Sequence, residues 1–203
     1  MKYLPNILTI SRVLFTPLFI FFIFSDIEYS KILALLIFSL ASLTDYLDGF
    51  FARKYNVVSE FGKFLDPVAD KLLILSAFLS FLFLPVLSSV ISIWMFLVIL
   101  FRDIFITGLK FLLNSKGKKV ETSKFAKFKT AFQMTTVYFI LIYLLANKYN
   151  SFNDLNQYSA IWFLYTLMIS TTLMTLVSGL RYIIKNSDQL YYFFNKKQSS
   201  IDI

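Results

Sequence analysis

The sequence predicts an all-α, polytopic membrane protein with six transmembrane helices and both termini cytoplasmic. Three observations carry that expectation. Of 203 residues, 58% are hydrophobic and 16% charged, with a mean hydropathy of +0.69, more apolar surface than a soluble domain of this size can hide. The apolar residues fall in runs of about 20, the length that crosses a hydrocarbon core. The basic residues behind the net charge of +8 collect at the ends of those runs, in alternate loops. Such a distribution suits the anionic face of a membrane and argues against nucleic acid as a partner.

The first span covers about residues 7–24. Arg12 interrupts its apolar run and no small-x-small cleavage pattern follows Phe24, so it reads as a retained helix and not a signal peptide. The second covers about 32–54, the third 66–87, the fourth 90–113, the fifth 125–145 and the sixth 161–184. Together they make one membrane domain, residues 1–185, followed by a short cytoplasmic tail, 186–203. Loop charge sets the orientation. Arg53, Lys54 and Lys63 lie between spans two and three; Lys116, Lys118, Lys119 and Lys124 lie between four and five; Arg181, Lys185, Lys196 and Lys197 end the chain. The opposite side carries only Lys31 and Lys148.

The chain has no cysteine and no histidine. Thiolate and imidazole metal sites, a cysteine nucleophile and the usual general base are therefore excluded. Chemistry must rest on carboxylates, amines, guanidinium groups, hydroxyls or bound metal. Asp45 and Asp48 near the end of span two, and Asp66 and Asp70 at the start of span three, stand out, because ionised groups beside lipid are costly. Spacings of three and four put each pair on one helical face. Two antiparallel helices can then bring four carboxylates together. Four anions in partly apolar surroundings need counter-cations, and hard oxygen donors suit two divalent cations, Mg²⁺ or Mn²⁺. Two metals about 4 Å apart clamp both sides of a phosphoryl displacement. Gly49 and Gly62 leave room for a ligand against the backbone, and Arg53 offers a fork of donors to a phosphate or a base edge. The plainer alternative is a set of helix caps and snorkelling charges.

The string Asp45-x-x-Asp48-Gly49-x-x-Ala52-Arg53, eight residues, Gly62-x-x-x-Asp66-x-x-x-Asp70 resembles the signature of the CDP-alcohol phosphatidyltransferases at every fixed position. The resemblance implies transfer of a phosphatidyl group from CDP-diacylglycerol to an alcohol, with release of CMP, at a cytoplasmic active site in the plasma membrane of a homodimeric, multi-pass enzyme. It implies that Asp45, Asp48 and Asp66 bind metal, and that Asp70 both binds metal and acts as the base. It also implies that Asp48, Gly49, Arg53 and Gly62 line the CDP pocket. Asn6 and Thr9 are further candidates for the nucleotide, with helix capping as the alternative.

Flanking stretches resemble the branch of the family whose acceptor is glycerol 3-phosphate. They are residues 5–12, the Lys71 that follows Asp70, Arg102-Asp103, Thr107-Gly108-Leu109-Lys110, and Lys127-Phe128-Lys129-Thr130. Ala126 stands where that branch usually has glycine, and Asp103 and Lys110 replace its glutamate and arginine. Arg102, Lys127, Lys129 and Arg181, near the cytoplasmic ends of their helices, are candidates to hold the acceptor phosphate, and Lys110 joins them by the resemblance. Enforcing topology is the plainer role for such cations, and pairing with Asp103 is the plainer role for Arg102. Three other readings stand beside this one. They are the same donor chemistry with phosphatidylglycerol, inositol phosphate or serine as acceptor, an ion-coupled transporter, and a catalytically dead binding protein.

Overall fold

The computed structural model describes residues 4–55, 60–114, 124–149 and 154–187. These form six long α-helices and no strand: α1 (Leu4–Phe24), α2 (Ser30–Tyr55), α3 (Glu60–Leu82), α4 (Ile93–Asn114), α5 (Lys124–Lys148) and α6 (Asp154–Lys185). Each predicted span corresponds to one helix. Residues 188–203 of the expected tail lie outside the described residues, as do Lys116, Lys118 and Lys119.

Three boundaries differ from the expectation by five residues or more. Helix α3 starts at Glu60 and ends at Leu82, so it begins a turn and a half before the predicted Asp66. Its end is set by Pro85. The residue before a proline avoids the α region, and Leu84 is extended, with φ −88° and ψ 117°, before the single 3₁₀ turn Pro85–Leu87. Helix α6 starts at Asp154 because its first turns are polar but still helix-forming. Hydropathy marks only the apolar part of such a helix.

Helix α1 packs against α2 and α3, and α6 packs against α4 and α5; α5 and α3 join the two groups. The shared core is aromatic. Phe19 of α1 meets Phe38 of α2 at 5.8 Å between ring centroids and Phe81 of α3 at 6.4 Å, and Phe38 meets Tyr138 of α5 at 5.2 Å. Tilted and edge-on contacts of this kind add to the area they bury. Between α5 and α6 the packing is polar. The hydroxyls of Thr136 and Thr171 lie 2.8 Å apart, and Gln133 Nε2 donates to Thr175 Oγ1 at 3.4 Å. At the far end of α5, Lys148 donates to the Ile27 carbonyl and to Ser30 Oγ, and Tyr149 donates to the Glu28 carbonyl. The turn between α1 and α2 is thereby tied to α5. Lys31 and Lys148, expected on one side, are at the same end.

The outer surface carries many large apolar side chains. Phe101, Ile104, Leu14, Phe21, Trp162, Leu180 and Ile184 are all at least 60% exposed. Two stretches, Lys127–Lys148 and Asn156–Lys185, are long and apolar enough to cross a membrane by length and composition. Helix α4 is similar in length but carries Arg102, Asp103 and Lys110. Among the described residues, the apolar parts of α1, α2 and α3 are shorter.

Candidate active site

The aspartate motif occupies the end of α2 and the first half of α3. The α2 backbone is helical through Asp45, Asp48 and Arg53, and the α3 backbone is helical through Asp66 and Asp70. The early start of α3 also brings Gly62 into the helix, so Gly62, Asp66 and Asp70 follow each other at one-turn intervals. The side chains of Asn6, Asp45, Asp48, Arg53, Asp66 and Asp70 lie outside the described residues. Thr9 is fully buried in α1, as is Arg12 one turn on.

Directly after Asp70 the side chains are described, and they lead into a second feature. Asp103 of α4 is 1% exposed and gathers cations from three helices. Lys129 of α5, equally buried, donates to both of its oxygens, at 2.6 and 2.7 Å. Arg102 Nη1 donates to Oδ1 at 2.7 Å. The ammonium of Lys71, from α3, is 3.9 Å from Oδ2. Gln133 Nε2 approaches the same oxygen at 3.5 Å, the outer limit of a hydrogen bond. Lys110 lies over the ring of Tyr182, 5.6 Å from its centroid, and is close enough to Arg102, Lys71 and Asp103 to interact electrostatically.

Four cations therefore share one buried carboxylate. Burying charge is tolerable only when it is paired, and Asp103 supplies that pairing without neutralising the group. The excess positive charge, to which Lys71 adds from α3, suits a small dianion. The pairing of Arg102 with Asp103, read from the sequence as the plainer alternative, is present, and it is one bond of a larger set.

Of the five residues expected to bind the acceptor phosphate, Arg102, Lys110 and Lys129 come together. Lys127 is exposed, and the guanidinium of Arg181 lies 4.6 Å from the centroid of the Phe125 ring. Among the described residues no ion pair joins either of them to Asp103. Sequence reasoning missed Lys71 and Ser178 as members of the cluster and saw Asp103 only as a partner of Arg102. Lys71 carried a signal, since it follows Asp70 directly. Ser178, whose Oγ accepts from Arg102 Nη2 at 2.6 Å, carried none.

Comparison with known families decides the class. The family model for CDP-alcohol phosphatidyltransferases matches residues 2–177. The chain belongs to the CDP-alcohol phosphatidyltransferase family. It is accordingly a transferase, and the match covers the aspartate motif, Asp103 and Lys129. A CDP-diacylglycerol–glycerol-3-phosphate 3-phosphatidyltransferase from Bacillus subtilis (strain 168) is 33% identical to this transferase over 201 residues, 92% of this chain and 96% of the relative. Proteins of the same name from Rickettsia typhi and Escherichia coli (strain K12) are 37% and 36% identical. The first alignment covers 70% of this chain and 78% of the relative, the second 68% and 76%.

The donor set of the transferase fits the divalent cations expected for it. Four carboxylates at helical spacings of three and four, each pair on one face of its own helix, on two neighbouring helices whose backbones are continuous through the motif, are hard oxygen ligands. Nothing softer competes, because the chain lacks cysteine and histidine.

Proposed function

We propose that this enzyme transfers the phosphatidyl group of CDP-diacylglycerol to the 1-hydroxyl of glycerol 3-phosphate, giving phosphatidylglycerophosphate and CMP. The observation that carries the acceptor is the set of Lys71, Arg102, Lys110 and Lys129, partly to fully buried around the buried Asp103 and joined to the aspartate helix at Lys71. A phosphate on the acceptor matches that charge; serine, whose own ammonium would be repelled, does not. The activity for which the relatives from Bacillus subtilis, Rickettsia typhi and Escherichia coli are named agrees with it.

In this reading Asp45, Asp48, Asp66 and Asp70 hold two divalent cations, which when bound neutralise the pyrophosphate and polarise the attacked phosphorus. Gly49, Arg53 and Gly62, with Asn6 and Thr9 on α1, receive the CDP group. Lys129, Arg102, Lys71 and Lys110 hold the acceptor phosphate and so aim its free hydroxyl. The Asp70 carboxylate takes the proton from that hydroxyl as its oxygen bonds to the phosphatidyl phosphorus. The bond from that phosphorus to the oxygen of CMP breaks, and CMP leaves. Positioning and charge do most of the work, as in phosphoryl transfer generally.

The same reading places the chain across the plasma membrane six times, with both termini and the site on the cytoplasmic side. Each helix has at least 21 residues, about 30 Å or more at 1.5 Å per residue. The exposed apolar residues provide the lipid-facing surface. The diacyl chains then stay in lipid while the headgroup enters. A homodimer follows from the family resemblance and is tested by cross-linking in membranes.

The test is CMP release by detergent-solubilised protein with CDP-diacylglycerol and Mg²⁺. Release is expected with glycerol 3-phosphate alone and should stop with EDTA. Release driven by phosphatidylglycerol, inositol phosphate or serine would overturn the acceptor. No metal-dependent release from folded protein would overturn the reaction and favour a non-enzymatic role.

A further inference from the structure

Arg102 is held in a particular attitude by α6. Its Nη1 is bound to Asp103 on its own helix, but its Nη2 crosses to Ser178, 2.6 Å away. Ser178 is buried, and its hydroxyl proton is directed at the Thr175 carbonyl at 3.2 Å. The lone pairs of Oγ are thus turned towards the guanidinium. Two of the five guanidinium N–H donors are thereby committed. Nε is buried with no hydrogen-bond partner among the described residues, an unusual state for a charged group and one that leaves a donor to spare.

The next residue explains how the arginine comes so near. A Cβ at Gly179 would stand 3.1 Å from Arg102 Cγ and 3.5 Å from Nε. The first distance is tighter than ordinary van der Waals contact, so a Cβ there would push the stem of Arg102 off α6 by a few tenths of an ångström. Glycine is otherwise a poor choice in the middle of a helix. By contrast, a Cβ on Gly108 would meet nothing within 4 Å.

We infer that Ser178 and Gly179 are positioning residues for acceptor recognition: they form a seat on α6 that fixes the direction in which Arg102 presents its guanidinium to the acceptor phosphate. The inference rests on the reading of Arg102 as a ligand of that phosphate. The seat makes the acceptor site depend on contact between α4 and α6, outside the helices that carry the aspartate motif. An arginine fork recognises phosphate through direction as well as charge, so a displacement of a few tenths of an ångström weakens acceptor binding and leaves the donor untouched.

The test measures KM for glycerol 3-phosphate and for CDP-diacylglycerol in the full-length enzyme, by CMP release, for Gly179→Ala, Ser178→Ala, Ser178→Thr and Arg102→Leu. Gly179→Ala and Ser178→Ala are each expected to raise KM for glycerol 3-phosphate roughly 3- to 10-fold, the range of one well-placed hydrogen bond. KM for CDP-diacylglycerol should not move, and Ser178→Thr, which restores the hydroxyl, should return the acceptor KM to near its original value. In an Arg102→Leu background the same two substitutions should add less than about twofold, because residues acting through one partner are not additive. If Arg102→Leu raises the acceptor KM while Gly179→Ala and Ser178→Ala do not, the seat is packing alone; the acceptor reading survives and this inference fails. If Arg102→Leu itself leaves the acceptor KM unchanged, the acceptor role of Arg102 and the inference fail together. Effects that persist in the Arg102→Leu background, or that raise both KM values alike, also overturn it. Should Gly179→Ala not fold, the Ser178 pair decides by the same criteria.

Discussion

Replacing Lys129 by methionine keeps most of the side-chain volume at a fully buried position and removes one cation. In the native arrangement that cation bonds both oxygens of Asp103, at 2.6 and 2.7 Å. Asp103 is not stranded by its loss. Arg102 remains at 2.7 Å and Lys71 at 3.9 Å, so the roughly 3–5 kcal/mol penalty of an uncompensated buried charge should not appear in full. Acceptor binding has no such compensation. A hydrogen bond to a charged group is worth about 1.5–3 kcal/mol, and about 1.4 kcal/mol is a factor of ten. The KM for glycerol 3-phosphate should therefore rise roughly 10- to 150-fold. The assay varies glycerol 3-phosphate at saturating CDP-diacylglycerol, then reverses the roles, with thermal denaturation in the same detergent as a control. An unchanged acceptor KM in folded protein would refute the reasoning. An equal rise for both substrates would do the same, since it would locate the damage in the fold.

Asp103→Asn should behave in the opposite way, losing more stability than Lys129→Met because it leaves three or four cations facing each other without their anion; thermal denaturation of the two variants side by side measures the order. Asp70→Asn should retain CDP-diacylglycerol binding but lose turnover by about 10²-fold or more, the usual contribution of a positioned base, and unchanged turnover would remove Asp70 from that role. Asp45→Asn and Asp66→Asn should each demand a higher Mg²⁺ concentration for half-maximal activity, read from a metal titration after EDTA treatment. Because the chain has no cysteine, single substitutions report sidedness cleanly. In intact cells Glu28→Cys should react with an impermeant maleimide and Ser187→Cys should not, and the reverse pattern would invert the topology.

The six helices were legible because each apolar run is long enough to announce itself, and the aspartate string because its chemistry is written at helical spacings within a short stretch. Boundaries failed where local chemistry outranks hydropathy, as at Pro85, which ends α3 early, and in the polar turns that open α6. The proposed acceptor cluster was half legible. Arg102, Lys110 and Lys129 could be selected as cations near helix ends, but so could Lys127 and Arg181, and only packing separates the two groups. Asp103 looked like a simple neighbour of Arg102 because its contacts to Lys71 and Lys129 cross between helices. Gly179 could not be singled out at all, since its meaning lies in the Arg102 side chain, 77 residues earlier in the chain.

The Thr136–Thr171 and Gln133–Thr175 contacts have a consequence for how the bundle is assembled. Helices inserted separately into lipid have little hydrophobic reason to prefer one axial alignment, because neighbouring side chains and acyl chains are equally oily. Paired hydroxyls are selective, since a slip of one turn, about 5.4 Å, breaks both contacts at once. The same slip would carry Lys129, one turn before Gln133, away from Asp103, and Ser178, one turn after Thr175, away from Arg102. These few threonines and one glutamine thus act as an index mark between α5 and α6, favouring the alignment that delivers the charges of the site.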